Sequence, residues 1–347
     1  MQIDFHYCVI KLLTLKAGFS EEEAQIIAYA SQYVDDAVDS HKMKVIGSFN
    51  FNYERYDGKY FDPVRTAHEG FQFIEGLKKD VQKKVYISFH FIPPEAFRGQ
   101  EFFEFRTAPN TPLALKMVNH AIKQLEKTTN QEERLKALIK LGIVLHSYAD
   151  TWSHQKFSGR HNSHDNDIEN ISLFVDGKWK DVGFWEQLEF NTFPDIGHAE
   201  AFCFPDQSHR TWRYKQSCDG QLVERNNTNI FMDAANHIYD LLAATKPNPE
   251  EWQDFAYSLH KCLAFPTADV TEKFKIYQET FREIKFHYNK NEWRDTAILE
   301  TPPNPAKRYR LKRTAIQLIG DPRWFYFHIE AMNQRYYIMS RLPKKLK

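Results

Sequence analysis

The alternation of apolar and polar positions predicts a chain built mainly from helices. Residues 3–17 carry apolar side chains at helical spacing and end at Gly18. Ser20 followed by Glu23 has the pattern of a capping box, in which each residue satisfies a backbone N–H group at a helix start. We therefore expect a second helix to begin there and to run through the segment ending in Asp-Asp.

Similar start signals predict the central helices. Thr111 precedes Pro112, and proline is well tolerated at the first position of a helix. Thr129 with Glu132 repeats the capping-box pattern and predicts a long helix that continues past residue 150. Later helices are expected at 227–245, 249–264, 268–289 and 322–341, separated by proline-containing breaks at 246–249 and 302–305.

Strand signals are few. Residues 85–92 (VYISFHFI) alternate between two sets of side chains and predict a strand. Asp57-Gly58 and Asp176-Gly177 predict two hairpin turns. The expected fold is thus mainly α-helical, with a few decorating β-hairpins and extra C-terminal helices. We interpret 248–347 as a helical extension packed on a domain of residues 1–247, or as part of one domain with it.

Composition and charge exclude several classes of protein. The 347 residues include 46 basic and 46 acidic ones, so bulk charge gives no support to nucleic-acid binding. No apolar run reaches the ~18 residues of a membrane span, and the N-terminus lacks the pattern of a signal peptide. The four cysteines are widely spaced, without a CxxC pair. We expect a cytoplasmic protein with reduced cysteines and no membrane partner; the sequence leaves its oligomeric state open.

The predicted long helix carries three metal-competent side chains in register. His146, Asp150 and His154 stand at positions i, i+4 and i+8. A helix advances about 100° per residue, so steps of four keep all three on one face. Imidazole nitrogen and carboxylate oxygen together suit zinc or a similar divalent ion. The spacing therefore predicts a metal site on this face.

Other candidate ligands lie near predicted element boundaries. They are Asp4, His6, Asp35, Asp36, His90, His198, Glu200 and Asp206. Asp35 and Asp36 are consecutive acids at a helix C-terminus, where they oppose the helix dipole unless a cation is nearby. Each residue alone has an ordinary structural explanation, but their recurrence in one chain favours a shared site. Candidates for an aromatic pocket wall are Tyr33, Trp152, Phe157 and Trp185, with core packing the alternative for Trp152.

The residues also resemble a known family. The segment LGIVLHSYAD (141–150) resembles the LGxxxHYxxD signature of the zinc-dependent phospholipase C and P1 nuclease superfamily, all-α enzymes that hold three zinc ions. His6, Asp35, His90 and His198 resemble further ligands of that family, in the same order along the chain. The resemblance spans residues 4–206, and residues 4–40 also resemble the start of a group of uncharacterised bacterial proteins.

The chain departs from the family pattern in three places. Secreted members use the amine of a new N-terminal Trp as a ligand; we expect that ligand to be missing here and Asp4 to replace it. The family's second loop acid falls on Phe202, so Glu200 or Asp206 must take its place, and the turn at Pro205 favours Asp206. The last helix ligand follows His146 by eight residues rather than ten. Two ions are therefore nearly as plausible as three.

The resemblance implies a metal-dependent hydrolase of a small phosphorylated substrate. Its cofactor would be zinc, with iron or manganese as alternatives, and Asp35 and Asp150 would be the catalytic carboxylates. Metal ions lower the pKa of a bound water and neutralise phosphate oxygens. One alternative is another metal chemistry, a di-iron oxygenase or an amide hydrolase, although the Glu-x-x-His pairs of di-iron bundles are absent. Another is a non-catalytic helical interaction protein.

Overall fold

The structure, a computed structural model, describes residues 1–39, 41–47, 53–68, 77–94, 104–182, 196–243, 249–301 and 315–343. Its helices are α1 (Asp4–Val9 continuing as Ile10–Lys16), α2 (Glu21–Asp36), α3 (Lys79–Val81 continuing as Gln82–His90), α4 (Pro112–Glu126), α5 (Gln131–Ser153), α6 (Ser163–Asn166), α7 (Asn227–Leu242), α8 (Pro249–Ala264), α9 (Val270–Thr280), α10 (Glu292–Ala297) and α11 (Arg323–Met339). The strands are β1 (Met43–Ile46), β2 (Tyr60–Phe61), β3 (Ile168–Val175), β4 (Lys178–Asp181), β5 (Thr211–Gln216), β6 (Leu222–Asn226), β7 (Ile298–Thr301) and β8 (Ala315–Leu318).

The predicted helix starts are largely confirmed. Ser20 and Glu23 form both hydrogen bonds of the capping box at the start of α2. Thr111 caps α4, where its side chain accepts a hydrogen bond from the Ala114 N–H group. The capping box predicted at Thr129 is wrong by one residue, because the side chain of Asn130 accepts the N–H of Glu133 and caps α5 instead. Asparagine is as good a cap as threonine, so either was a reasonable candidate.

Two predicted elements are wrong. Residues 85–92 are not a strand: residues 82–90 form a wide, π-helical segment of α3. Tertiary burial produced the misleading alternation, because this short helix is enclosed on several sides and Val85, Ser88 and His90 are all buried. The helix predicted at 268–289 ends at Thr280, and the short α10, which the pattern did not reveal, follows it.

The strands form two small four-stranded sheets. The first has the order β2-β1-β8-β7, in which β1 and β8 are parallel, and the second has the antiparallel order β4-β3-β5-β6. The hairpin turn predicted at Asp176-Gly177 joins β3 and β4, with both residues at positive φ. The turn at Asp57-Gly58 is closed by a β-bridge between Tyr56 and Phe61. The protein is therefore predominantly helical with two sheets, rather than helical with isolated hairpins.

One large hydrophobic core joins the two ends of the chain. It contains side chains of α1, α2, α4 and α5 together with Trp324, Phe325 and Phe327 of α11. The predicted boundary between 1–247 and 248–347 lies outside the described residues and stays a prediction. Within the described residues, no helix has both the length and the apolar character that a membrane crossing requires.

Helices α2 and α5 lie unusually close together, and this contact positions the candidate site. A Cβ atom at Gly142 of α5 would collide with the carbonyl oxygen of Ile27 in α2. Only glycine permits this approach without a shift of backbone. The contact brings the last turn of α2, with Asp35, beside the turn of α5 that carries His146.

Candidate metal centre

Nine polar groups meet in the candidate site, beside one cavity. They come from the N-terminus with α1, from α2, α3 and α5, and from the 196–206 loop, and they are the Met1 amine, His6, Asp35, His90, His146, Asp150, His154, His198 and Asp206. The cavity has a volume of about 210 Å³. Three sets of three side chains each keep their ligand atoms within 4.8 Å of one another: His6, His146 and Asp150; Asp35, His90 and His146; and His154, His198 and Asp206. We divide the nine polar groups into three subsites, in which Asp150 and Asp206 are each shared by two.

The first group, which we call the helix subsite, consists of Asp35, His90, His146 and Asp150. His90 Nδ1, His146 Nε2 and Asp150 Oδ2 are 3.2 Å from one another. Asp35 Oδ1 lies 3.8 Å from His90 Nδ1 and 3.7 Å from His146 Nε2. Two ligands of a tetrahedral zinc ion with bonds of ~2.1 Å are ~3.4 Å apart. These five separations are close to the ligand spacing of a tetrahedral metal site.

The second group, the amine subsite, consists of the Met1 amine, His6, Asp150 and Asp206. The Met1 nitrogen lies 2.6 Å from Asp150 Oδ1 and 3.1 Å from Asp206 Oδ1. His6 Nε2 lies 3.1 Å from the same Asp150 oxygen. Asp150 thus directs one oxygen to the helix subsite and the other to the amine subsite, as a bridging carboxylate between two ions would.

The third group, the loop subsite, consists of His154, His198 and Asp206. His154 Nε2 lies 3.1 Å from Asp206 Oδ1, and His198 Nε2 lies 3.1 Å from Asp206 Oδ2. His154 directly follows the last turn of α5. Gly197 has φ +60°, and a Cβ atom there would collide with the ring of Phe91. Glycine at this position lets the loop lie against the ring and present His198 to the cavity.

Backbone carbonyls fix the orientation of three of the imidazoles. His90 Nε2 donates to Thr66 O at 2.9 Å, His154 Nδ1 to His90 O at 2.8 Å, and His198 Nδ1 to Phe202 O at 2.7 Å. A carbonyl can only accept, so the neutral form of each ring keeps its lone pair on the other nitrogen. That nitrogen faces a carboxylate oxygen, which is also only an acceptor. Metal-binding histidines show this arrangement, with the second N–H held by a carbonyl.

The electrostatics of the site favour a cation between its acids. Burial would raise the pKa of Asp150, but the neighbouring imidazoles and the Met1 ammonium hold it well below its ordinary value. Burial lowers the pKa of the Met1 amine, yet Asp150, Asp206 and Asp35 outweigh it and raise that pKa to about 11. Burial and the neighbouring His146 lower the pKa of His6. Against the effect of burial, Asp150 and Asp35 raise the pKa of His90, and Asp206 raises that of His198. Without a bound ion, the ammonium and these two imidazoles therefore supply the positive charge opposite the carboxylates.

Two wide helical segments carry site histidines. His6 lies within Asp4–Val9, and His90 ends Gln82–His90. In the second segment, the Phe91 N–H donates to the carbonyl oxygen of Tyr86, five residues earlier, at 2.8 Å. Such π-helical turns are rare and occur frequently at functional sites, because the additional residue changes the direction of a side chain. The two imidazoles that α1 and α3 contribute to the site therefore both lie in π-helical segments.

Three of the predicted ligands lie outside the site. Asp4 contacts Ser208 and Lys273 on the far side of α1. Asp36 accepts hydrogen bonds from Tyr288 and Gln32. The alternative acid Glu200 accepts the Ile168 N–H group at 2.8 Å, away from the cavity, so Asp206 is the acid that joins the site.

Sequence reasoning missed the Met1 amine and the true wall of the cavity. The amine occupies the position for which Asp4 was the expected substitute. The apolar part of the wall consists of Ala67, Val85, Tyr86 and Phe91, with His68 beside them. Of the predicted wall residues, Tyr33 and Trp152 are buried in the large core, Phe157 is buried in the smaller core under β3 and β5, and Trp185 lies outside the described residues. The amine left no signal in the composition, because every chain has one.

No curated protein and no solved structure matches this chain. The model of a family of unknown function, DUF6765, matches residues 1–342, nearly the whole length. The chain belongs to that family.

Proposed function

We propose that the protein is a metal-dependent hydrolase of phosphate esters, with zinc-class ions in the three subsites. The observation that carries the proposal is the helix subsite, in which four side chains from three helices place their ligand atoms 3.2 to 3.8 Å apart in the five separations given above, close to the spacing around a tetrahedral ion. The order of these ligands along the chain and the predominantly helical fold support a distant relationship to the phospholipase C and P1 nuclease superfamily.

The ligand chemistry favours zinc over a di-iron centre. Five of the eight side chains are imidazoles, and the three carboxylates are Asp35, Asp150 and Asp206. Di-iron bundles rely instead on four glutamates and two histidines, with each histidine and one glutamate in a Glu-x-x-His pair. Imidazole-rich sets suit zinc and related ions, and neutral ligands leave positive charge on the ions for an anionic substrate.

The cavity is suited to a phosphate ester. Among its described lining residues there is no lysine or arginine, so the bound ions would neutralise the substrate's charge. Zinc-class ions supply a hydroxide nucleophile near neutral pH and stabilise the leaving oxygen. Tyr86 and Phe91 form an apolar wall that would contact the organic part of the ester.

Asp35 is the carboxylate best placed to accept a proton. Its side chain is 33% exposed, whereas those of Asp206 and Asp150 are 18% and 1% exposed. Burial, reinforced by Asp150, raises the pKa of Asp35 against the opposing effect of His146 and His90. A raised pKa makes a carboxylate a stronger base, which suits it to take the proton of an attacking water. Asp150 would instead hold two ions at a fixed separation.

Elemental analysis of protein purified without chelator tests the proposal. We expect two or three zinc-class ions per chain in the wild type, and a loss of at least one in His146→Ala. His120→Ala, at an exposed histidine of α4, serves as the matched control and should keep the full complement. Wild-type protein without metal, or His146→Ala with the same content, would contradict the metal site.

A panel of phosphomonoesters and phosphodiesters with added zinc or manganese tests the chemistry. Hydrolysis that is lost with chelator and restored by the ion is the expected result. A coloured protein that contains iron and does not hydrolyse any of these esters would favour the di-iron alternative. A zinc-loaded protein inactive on a broad panel would favour a non-catalytic role.

A further inference from the structure

A buried polar cluster lies on the far side of α1 from the cavity. Lys273 of α9 is 1% exposed, and its Nζ donates to Ser208 Oγ at 2.7 Å, Leu263 O at 3.3 Å and Cys262 O at 3.4 Å. It forms an ion pair with Asp4 Oδ2 at 3.5 Å. Ser208 Oγ in turn lies 3.1 Å from the same Asp4 oxygen. One lysine thus joins three separate parts of the chain.

Two of these parts carry ligands of the amine and loop subsites. Asp4 lies two residues before His6, and Ser208 lies two residues after Asp206. At the cavity, the Met1 amine and Asp206 Oδ1 join the same two segments at 3.1 Å. The segments are therefore connected at the front by the amine subsite and at the back by Lys273.

We propose that Lys273 is a positioning residue for the amine and loop subsites, so that α9 completes the metal centre without contributing a ligand. The inference rests on the proposed metal site. The helix subsite does not depend on this cluster, because its ligands lie on α2, α3 and α5, which contribute none of the three cluster side chains.

The physical reason is the strict pairing of buried charge. Removing Lys273 leaves the Asp4 carboxylate, 1% exposed, without a cation and takes the strongest donor away from Ser208. An uncompensated buried charge destabilises its surroundings, so α1 and the 204–208 segment will shift to reach water or another partner. Loss of a group that hydrogen-bonds a metal ligand directly weakens metal binding ~10- to 100-fold. Lys273 contacts no ligand itself, so we expect an effect at the lower end of this range, about 10-fold.

Zinc and cobalt titrations of the full chain, followed by chelator competition, test the proposal. In Lys273→Met we expect the ions of the amine and loop subsites to bind about 10-fold more weakly, while the ion of the helix subsite keeps its affinity. The visible absorption of cobalt-loaded protein should lose the bands of the weakened subsites and keep the others.

Lys11→Met is the matched control. Lys11 is also a buried lysine, 3% exposed, and it links α1 to the C-terminal part of the chain through Lys285 O at 2.7 Å. Its hydrogen bonds go to Gln25 and Lys285 and to none of the three cluster side chains. It should leave all affinities unchanged. Equal weakening in both variants, or none in Lys273→Met, would overturn the proposal.

Ser208→Ala keeps the test decisive if Lys273→Met does not fold. It removes the contact to the segment of Asp206 but keeps the ion pair with Asp4. A smaller weakening in the same two subsites supports the proposal, and unchanged affinities overturn it. A wild type that binds no metal would instead refute the proposed function.

Discussion

The two ends of the candidate site are built in different ways. At the helix subsite, all four ligands lie on helices, and Asp150 and His146 are almost fully buried. At the loop subsite, His198 precedes the short 3₁₀ helix Ala199–Ala201 and Asp206 ends the short 3₁₀ helix Phe204–Asp206, and both side chains are 18% exposed. Regular backbone fixes distances between ligands through the pitch of the helix, whereas the loop depends on a few individual contacts. The helix end is therefore suited to set the spacing of the ions and the loop end to adapt to them.

The contacts of the loop end are specific but few. His198 donates to the Phe202 carbonyl, and Phe202 itself has φ +52°, which is unusual for a residue with a large side chain. Gly197 lies directly on the ring of Phe91. At the helix end, by contrast, the close packing of α2 against α5 extends along several turns. We expect substitutions at the helix end to have larger effects.

The largest effect is expected for Asp150→Asn. Asp150 serves the helix and amine subsites with its two oxygens, and it is 1% exposed, so no water can replace it. We expect elemental analysis to show about two ions fewer per chain and phosphate-ester hydrolysis to fall by more than the ~100-fold typical of an outer partner. A variant that retains every ion would show that Asp150 is a structural residue and not a ligand.

Asp35 and Asp36 are adjacent in sequence, but only Asp35 belongs to the helix subsite, so the two residues allow a matched comparison. Asp35→Asn should lower hydrolysis ~100-fold or more, because it removes the proposed proton acceptor. Asp36→Asn is the matched control: Asp36 accepts a hydrogen bond from Tyr288 at 2.6 Å, and an amide oxygen can still accept it. Steady-state rates at equal metal content measure the difference. Equal losses in the two variants would count against the assignment of Asp35.

The ligands that α5 contributes could be predicted from the sequence, because the face on which a helical residue lies depends only on its position along the helix. The spacing of His146, Asp150 and His154 places them on one face whatever surrounds the helix, and the structure brings all three to the cavity. The capping residues Ser20 and Thr111 were likewise readable, since a cap bonds to its own first turn. Local rules do not tell which of two consecutive acids faces the cavity, and for this reason Asp35 and Asp36 could not be separated.

The remaining errors concern tertiary structure. Asp4 was expected to replace the N-terminal amine ligand of the resembling family, but it pairs with Lys273, about 270 residues away in sequence. Burial on several sides made the 85–92 segment resemble a strand. The Met1 amine could not be found from residue types, because its role depends only on where the first turn of α1 lies. Each of these features depends on contacts between distant segments, which no local pattern encodes.

A third test concerns the loop end. Asp206→Asn should remove the ion of the loop subsite and weaken that of the amine subsite, but it should reduce hydrolysis less than Asp150→Asn. The reason is exposure: at a carboxylate that is 18% exposed, water can take the place of the lost ligand. Glu200→Gln is the matched control, because Glu200 bonds to the Ile168 N–H group instead. The metal content of Asp206→Asn, Glu200→Gln and Asp150→Asn tests this expectation. A larger loss of metal in Asp206→Asn than in Asp150→Asn would show that the loop subsite, and not the helix subsite, is the more sensitive to substitution.

The smallest effect is expected at His328, which contacts the segment that holds His90 in place. His328 of α11 is buried, and its Nδ1 accepts the Val64 N–H group at 3.1 Å. Two residues later, the Thr66 carbonyl holds His90. Burial, assisted by nearby arginines, lowers the pKa of His328 to about 3 from 6.5. Below pH 6.5, His328 therefore binds a proton in the unfolded chain but stays neutral in the folded protein. The stability that neutral His328 contributes is lost as the pH falls.

At 1.36 kcal/mol per pKa unit, this residue should lower the free energy of unfolding by roughly 2 kcal/mol between pH 6.5 and pH 5. Urea unfolding of wild type and His328→Gln at both pH values isolates the effect, because the variant lacks only this titration. His164→Gln, at an exposed histidine, controls for the loss of an imidazole. The wild type should lose more stability than His328→Gln as the pH falls. If both lose the same amount, the neutral form of His328 does not stabilise the segment that holds His90. The packing of α2 against α5 would then be the main contact that stabilises the helix subsite.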